Sequence, residues 1–337
     1  GALFPHLNVA KNISFGLDRE LYNKKQIAEI TQEMIALVGA RFPDHFGDLE
    51  PFGWPVTRAE ALEAADAFFA RRLALFGPYQ DAMVHGSDDL YHSMLSTSLN
   101  IGLLDPLELC QRAEAEYRAG RAPLNSVEGF IRQIIGWREY VNGMYWFLGP
   151  EYRNHNQLQA TRKLLPLFED PNATQMNCIK STVTDINERA WVHHIPRLML
   201  LSNLALITGT NPQEFLEWMR RVFIDATDWV MVPNIIGMGV HADGGLMMTK
   251  PYAAGGAYIS RMSNYCKGCA YNPKLRTGET ACPFTTLYWD FLDRHKETFA
   301  KNHRMSQQVF GLNRLSDLPE LKERAQEVLE GLEKGEI

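Results

Sequence analysis

The sequence contains few cysteines and no long apolar run, and each shortage excludes a class of protein. Five cysteines in 337 residues are too few for the disulfide framework of a small secreted domain. No apolar run reaches the about 18 residues that a membrane helix requires, since Ser202 and Asn203 interrupt the segment 198–207. The N-terminus lacks the basic start and apolar core of a signal peptide. We therefore expect a protein of the reducing cytoplasm without a membrane partner.

An excess of positive charge is also missing, and so are the familiar nucleotide-binding motifs. The formal net charge of −6 gives no overall attraction to nucleic acid, so any DNA contact must come from a local basic face. There is neither a P-loop nor a G-x-S-x-G elbow, which excludes the common nucleoside-triphosphatase and hydrolase sites. The pattern Gly237-x-Gly239-x-x-Ala242 resembles a dinucleotide fingerprint, but Pro233 and Asn234 precede it where that motif requires a strand.

Helical periodicity is abundant along most of the chain. One example is the apolar series Leu62, Ala65, Phe69, Leu73 and Phe76. No run of alternating strands is found, so the predicted fold class is all-α. We expect an N-terminal arm at 1–25, a first helix near 27–38 and a single helical domain over 26–337.

Several predicted helices begin with a residue whose side chain can accept a hydrogen bond from the first turn. Pro196 is expected to bend the helix that follows Trp191. The predicted N-caps are Thr57, Asp105, Asn125 and Asn211.

Three of the five cysteines fall in the segment 265–284. The first two form a C-x2-C pair, whose thiolates can reach one metal from a single turn, and the third precedes Pro283. Of the other two, Cys110 lies in an apolar pattern typical of a buried thiol. The candidate metal ligands are therefore Cys178, Cys266, Cys269 and Cys282.

This ligand set suits more than one metal centre. Structural zinc accepts four cysteines with the same C-x2-C spacing. A Cys-Pro step such as Cys282-Pro283 beside a C-x2-C pair is typical of ferredoxin-like proteins and favours an iron–sulfur cluster, although ferredoxin spacings are shorter. Both centres remain open on spacing alone, and a disulfide is the least favoured alternative.

Two adjacent histidines, His193 and His194, precede Arg197 in a predicted helix. Adjacent helical positions point about 100° apart, so at most one of the two is expected to face a pocket. By themselves they favour an exposed helix surface. Arg197 shares a face with His194, and Asp228 is a candidate buried partner for its charge.

Several stretches together resemble the iron–sulfur bacterial branch of the photolyase/cryptochrome family. The resemblance covers nearly all of the chain, from about FPDHFG to the final helix. It implies a helical FAD-binding domain in which the four cysteines hold a 4Fe-4S cluster. The stretches that carry it are GWREY, WVHHIPRLM, DWVMVPNIIGM, ADGGLMMTKPY and YCKGC…ACPFTTLYWDFLDRH.

The resemblance also assigns roles to individual positions. His194 falls where the (6-4) photolyases have the histidine that faces the lesion, with His193 as its neighbour and Tyr252 lining the lesion pocket. Near the flavin, Arg197 would pair with Asp228. The other residues that it places at the FAD are Tyr79, Ser93, Leu95 and Ser96 near the phosphates, Trp137 and Arg138 beside the cofactor, and Asn234 facing N5.

The implied activity is light-driven electron transfer from reduced FAD to a (6-4) photoproduct flipped out of DNA, with His194 assisting proton transfer. Single-stranded or UV-damaged DNA is the expected partner, with Lys250 and Arg261 as candidate contacts. A monomer is expected. The alternative function is that of a cryptochrome-like light or redox sensor, or a DNA-binding protein, that repairs nothing.

The chain departs from that branch in three respects. The N-terminal antenna domain is missing, so the chain is expected to be a short form or a fragment, which a separate antenna partner could serve. Met231 stands where a carboxylate is usual, and a thioether cannot transfer a proton. In the aromatic relay, Asp170 and Met219 replace aromatic residues, which leaves Trp218 and Tyr258 as the electron-transfer candidates.

Overall fold

A computed structural model describes residues 23–49, 53–55, 57–87 and 89–337. Within these ranges the chain forms helices joined by loops, and it contains no β-strand, only isolated bridges. The all-α prediction is confirmed. Residues 1–22 of the predicted arm lie outside the described residues, and Asn23 already caps the first helix, Lys24–Arg41. No helix of the described part is long and apolar enough to cross a bilayer.

Short helices dominate, and several continue directly into one another. The 3-10 helices span Pro150–Asn154, Pro166–Phe168 and Leu312–Arg314. The π-helical segments span Arg132–Arg138, Arg197–Ser202 and Pro233–Gly239. The α-helices span Lys24–Arg41, Arg58–Arg71, Leu73–Tyr79, Ser96–Asn100, Pro106–Arg118, Leu124–Ile131, Glu139–Leu148, Asn177–Arg189, His194–Pro196, Asn203–Thr208, Pro212–Val222, Asp228–Val232, Gly256–Met262, Pro283–Arg294, Lys296–Phe299, Ser306–Gly311 and Leu318–Lys334.

Three of the four predicted N-caps are confirmed. Thr57, Asp105 and Asn211 each accept a backbone hydrogen bond from the first turn of the helix that follows. Asn125 was a wrong prediction, because the helix begins one residue earlier, at Leu124, directly after Pro123. The structure also places Pro196 at a different point of its helix from the one predicted.

The reason lies in where that helix begins. It starts only at His194, which places Pro196 in its first turn. A first-turn residue has no intrahelical partner for its N–H, so a proline is tolerated there without a bend.

Buried side chains form two main groups, and the smaller one borders a cavity. The smaller group centres on Phe68, Phe76 and Phe130, and includes the predicted buried thiol, Cys110. The larger group is built from residues 152–332 together with Met83. The continuous helical stretch 124–148 leads from the smaller group to the wall of the cavity.

One glycine permits the closest helix contact in the smaller group. The backbone N–H of Gly77 donates to Ser126 Oγ at 2.9 Å, and a Cβ at position 77 would lie 2.8 Å from backbone atoms of Asn125 and Ser126. Gly143 is also helical, but a Cβ there would meet nothing within 4 Å.

These two glycines predict opposite effects of the same substitution. Gly77→Ala should lower the free energy of unfolding by about 1–3 kcal/mol, because the added methyl group forces two backbones apart. Gly143→Ala should raise it by about 0.5–1 kcal/mol, because alanine restricts the unfolded chain and favours a helix. Urea unfolding followed by circular dichroism measures both, and a Gly77→Ala protein as stable as Gly143→Ala would contradict the packing.

Candidate functional site

The principal cavity encloses about 1300 Å³, including the part that is open to solvent. Each of the three π-helical segments contributes residues to its wall. A π-turn widens a helix locally, displaces side chains from the regular spacing and is frequent at functional sites. The predicted site residues that line the cavity are Ser93, Leu95, Ser96, Trp137, Arg138, His193, His194, Arg197 and Asn234.

Three other predicted site residues are not among those that line the cavity. Tyr79 is exposed and stacks on Tyr91, with 5.4 Å between ring centroids. Tyr252 is half-buried and packs against the apolar group around Val141 and Met238, which borders the cavity. Asp228 is 37% exposed. The functional roles of Tyr79 and Tyr252 remain predictions.

The predicted pairing of Arg197 with Asp228 was wrong. Arg197 makes a two-pronged ion pair with Asp225, with Nη1–Oδ1 at 2.8 Å and Nη2–Oδ2 at 3.1 Å. Both side chains are buried, at 13% and 7% exposure. Asp228, three residues later, instead pairs with Arg153 and Arg220 at 2.8 and 2.7 Å.

Asp225 is therefore the main site residue that the sequence prediction missed. Ser96 Oγ donates to its Oδ2 at 2.7 Å, and Asn100 Nδ2 donates to its backbone oxygen at 2.9 Å. Burial alone would raise the pKa of Asp225, but the charge of Arg197 and the hydrogen bonds from Arg197 and Ser96 outweigh it and hold the pKa below its usual range. The sequence signal that could have identified Asp225 is an acidic residue placed between two apolar ones, Ile224 and Ala226.

Both adjacent histidines line the cavity, contrary to the expectation that at most one faces a pocket. The helix begins at His194, so His193 has an extended backbone and the helical angle between neighbours does not apply. His193 is 5% exposed, which also rules out a surface position, whereas His194 is exposed to the cavity. The ring of His193 stacks on His92, another residue that the prediction missed.

Several cavity-lining residues have buried polar atoms that find no hydrogen-bond partner within the described residues. These atoms are Arg138 Nε, Trp191 Nε1, His92 Nε2 and His193 Nδ1. Buried polar groups are nearly always paired, so such a concentration fits a polar ligand or ordered water. The size of the cavity, its aromatic walls and its buried arginine suit a flavin dinucleotide.

The four predicted metal ligands line one small cavity of about 300 Å³, including the part that is open to solvent, with Gly256 in its wall. A Cβ at Gly256 would lie 2.9 Å from Cys282 Sγ, so only glycine leaves this side open. Within the described residues, no group of three or more His, Cys, Asp or Glu side chains converges closely enough for a single metal ion.

The thiols of this second cavity differ in burial. Burial raises the pKa of Cys282 to about 11 and the pKa of Cys178 well above its ordinary value. Neutral thiols are expected here without metal, since a buried thiolate needs a positive partner.

The remaining candidates lie in the core. Trp218 is fully buried between Phe168 and Phe215, with ring centroids at 5.0 and 5.8 Å. Tyr258 is half-buried, and burial raises its pKa. Met231 is 2% exposed and is not among the residues that line the cavity. The missing carboxylate at 231 therefore affects the core more directly than the cavity wall.

The two aspartates provide a matched test of the site's electrostatics. Asp225→Asn should lower the free energy of unfolding by about 3–5 kcal/mol, because the Arg197 charge stays buried without its partner. Asp228→Asn should cost about 1 kcal/mol or less, because solvent screens its 37% exposed carboxylate. Urea unfolding at pH 7 measures both, and equal losses would contradict the assignment.

The same pair predicts a pH dependence. The pKa of Asp225 is lowered in the folded protein, so the stabilisation is fully present above the ordinary aspartate pKa of about 3.9 and disappears as the pH falls through the folded value. The stability difference between wild type and Asp225→Asn should therefore shrink on acidification.

Sequence and structure comparisons identify relatives of this chain. It is 50% identical over 289 residues to the (6-4) photolyase of Agrobacterium fabrum, an alignment that covers 86% of this chain and 57% of that protein. No family model matches the chain. The chain thus spans a little over half the length of this relative.

Solved structures share the fold. A bacterial class III photolyase from Agrobacterium tumefaciens matches with a TM-score of 0.50 at 16% identity, over 83% of this chain and 57% of that one. The cryptochrome of Synechocystis sp. PCC6803 matches with a TM-score of 0.50 at 18% identity, over 60% of this chain and 43% of that one. With half of the aligned residues shared with a (6-4) photolyase and a helical fold shared with a photolyase and a cryptochrome, the chain belongs to the photolyase/cryptochrome family.

Proposed function

We propose that the protein binds FAD in the principal cavity and repairs (6-4) photoproducts in DNA with light. The observation that carries the proposal is the cavity itself, whose wall combines the buried Arg197–Asp225 pair with the adjacent imidazoles of His193 and His194. The relative that is 50% identical bears the name (6-4) photolyase, which supports the same activity here.

The cavity residues suit the parts of FAD in different ways. Ser93, Leu95 and Ser96 would hold the phosphates, and the guanidinium of Arg197, with one carboxylate partner, would favour an anionic reduced ring. Asn234 Nδ2 donates to Val230 O at 2.8 Å, which leaves its side-chain oxygen to accept a hydrogen bond from the cofactor. Bound and reduced, FAD would supply the electron that light transfers to the lesion.

The work of the chain is then to place the lesion and move a proton. A flipped base would enter this cavity, whose lining includes the apolar surfaces of Trp137, Trp229 and Met238. His194 is exposed to this space and is the residue proposed to give a proton to the lesion and take it back. Lys250 and Arg261 are proposed contacts to the phosphate backbone of single-stranded or UV-damaged DNA.

We further propose that Cys178, Cys266, Cys269 and Cys282 hold a 4Fe-4S cluster in the second cavity. The support is their common position around a single opening and the space left by Gly256. Trp218 and Tyr258 are proposed electron-transfer residues. We also propose that the protein is a monomer and that a separate antenna partner serves it.

Repair is tested with anaerobic, chemically reduced protein and an oligonucleotide that contains one (6-4) photoproduct. Illumination should restore the two thymines, measured by liquid chromatography. His194→Ala should keep its FAD, seen as absorbance near 450 nm, but lose about 10²–10⁴-fold in repair rate, the usual contribution of a general acid. His45→Ala is the control, because His45 is exposed and does not line the cavity. Repair unaffected in His194→Ala would contradict the assigned role.

A cryptochrome-like sensor is the second candidate. Two observations favour it: a buried thioether replaces the expected carboxylate at Met231, and desolvation and Arg197 lower the pKa of His194. A neutral imidazole has no proton to give at pH 7. Intact lesions after illumination of FAD-loaded wild-type protein, despite DNA binding, would favour this candidate.

The cluster proposal predicts a difference between two buried cysteines. Cys282→Ser should lose the brown absorbance and most of the iron, whereas Cys110→Ser should keep the about four iron atoms of a 4Fe-4S cluster. Metal and acid-labile sulfide analysis of anaerobically purified protein measures both. One zinc ion per chain without sulfide would establish the zinc alternative instead.

A further inference from the structure

Two imidazoles form a stack in the wall of the principal cavity. The ring centroids of His92 and His193 are 4.1 Å apart and their planes differ by 20°. Phe76 meets the ring of His92 edge-on, at 5.8 Å and 88°. The backbone of His193 is extended and leads directly into the helix that carries His194 and Arg197. The position of His193 therefore affects the positions of both His194 and Arg197.

His92 reaches this stack from a strained stretch of backbone. Leu90, Tyr91 and Met94 have positive φ values of 36°, 68° and 57°. Such conformations are costly for residues other than glycine and persist only where the surroundings enforce them. Here the surroundings include an ion pair between Arg72 and Asp89 and a hydrogen bond from His92 N to Asp89 O at 2.6 Å. The strain is concentrated on the residues that place the ring of His92.

The stacked rings are poorly suited to carry charge. His92 Nε2 and His193 Nδ1 are buried and find no partner within the described residues. Burial, with smaller repulsion from His194, lowers the pKa of His92 to about 4, and burial lowers the pKa of His193 well below its usual value. A proton on one ring would also repel a proton on the other at this separation.

We propose that His92 is a positioning residue: its stack fixes the ring of His193 and keeps that part of the wall uncharged, so that the first proton taken up by the three histidines resides on His194. This inference rests on the proposed repair function and adds to it the residue that orders the proton donor. Burial and the charge of Arg197 lower the pKa of His194 to about 4 as well. The order of protonation therefore rests on the exposure of His194 to the cavity, where water or a bound anion can stabilise its charge. The charged groups that line the cavity or pack against these rings are Arg72, Asp81, Asp89, Arg138, Arg197 and Asp225.

The test compares two substitutions in the full-length chain. His92→Phe keeps a flat ring that can stack but has no nitrogen, whereas His92→Ala removes the stack. Nuclear magnetic resonance of ¹⁵N-histidine-labelled protein reports the protonation order between pH 7 and pH 4. We expect His194 to protonate first in wild type and in His92→Phe. In His92→Ala, water reaches His193, so its pKa should rise and it should compete for the first proton.

Repair rate against pH is the second readout. His92→Ala should lose at least about tenfold more of the repair rate than His92→Phe, while the two variants keep the same FAD content and circular dichroism. His92 or His193 protonating before His194 in wild type would overturn the proposal, and so would identical behaviour of the two variants. If the wild-type protein repairs no lesion but its histidines protonate in the expected order, the proposed repair function is contradicted and the positioning role of His92 is supported.

Discussion

The buried ion pair between Arg197 and Asp225 is the constraint on which the rest of the site depends. A guanidinium and a carboxylate removed from water are tolerated only when each finds the other in good geometry. Satisfying that requirement ties three separate parts of the chain together, since Ser96 and Asn100 also bond to Asp225. The pair therefore holds three parts of the chain in fixed positions relative to one another. They are the helix Ser96–Asn100, the segment that precedes Asp228–Val232, and the helix that begins at His194.

The three π-helical segments shape the wall of the same cavity through their backbone conformation. A regular helix would present cavity residues every three to four positions on one stripe, together with the apolar residues of the core. At Arg197 the wider turn lets the side chain face the cavity while its neighbours Pro196 and Leu198 stay buried. Each segment continues an α-helix, and two of the three, Arg132–Arg138 and Arg197–Ser202, also lead directly into another α-helix.

These features mark the boundary of what the sequence could predict. The all-α class and the caps at Thr57, Asp105 and Asn211 depend on local patterns and were predicted correctly. The partner of Arg197 depends on how the loop before Asp228 turns, and nothing in the spacing distinguishes two acids three residues apart. The stack of His92 on His193 joins residues 101 positions apart through strained backbone, which no pattern of side chains reveals.

The charges of the cavity explain why neutral histidines belong in its wall. Arg197 is compensated by Asp225, and Arg138 by Glu139 at 2.5 Å, so the wall carries little net charge while its imidazoles are neutral. Each protonated histidine would add an unpaired positive charge close to Arg197, at a cost that grows as water is excluded. An anion bound in the cavity reverses that balance, because it stabilises one imidazolium beside it. On the proposal that this cavity holds a reduced, anionic cofactor, the negative charge of that cofactor would determine, together with the pH, when a proton is held in the wall.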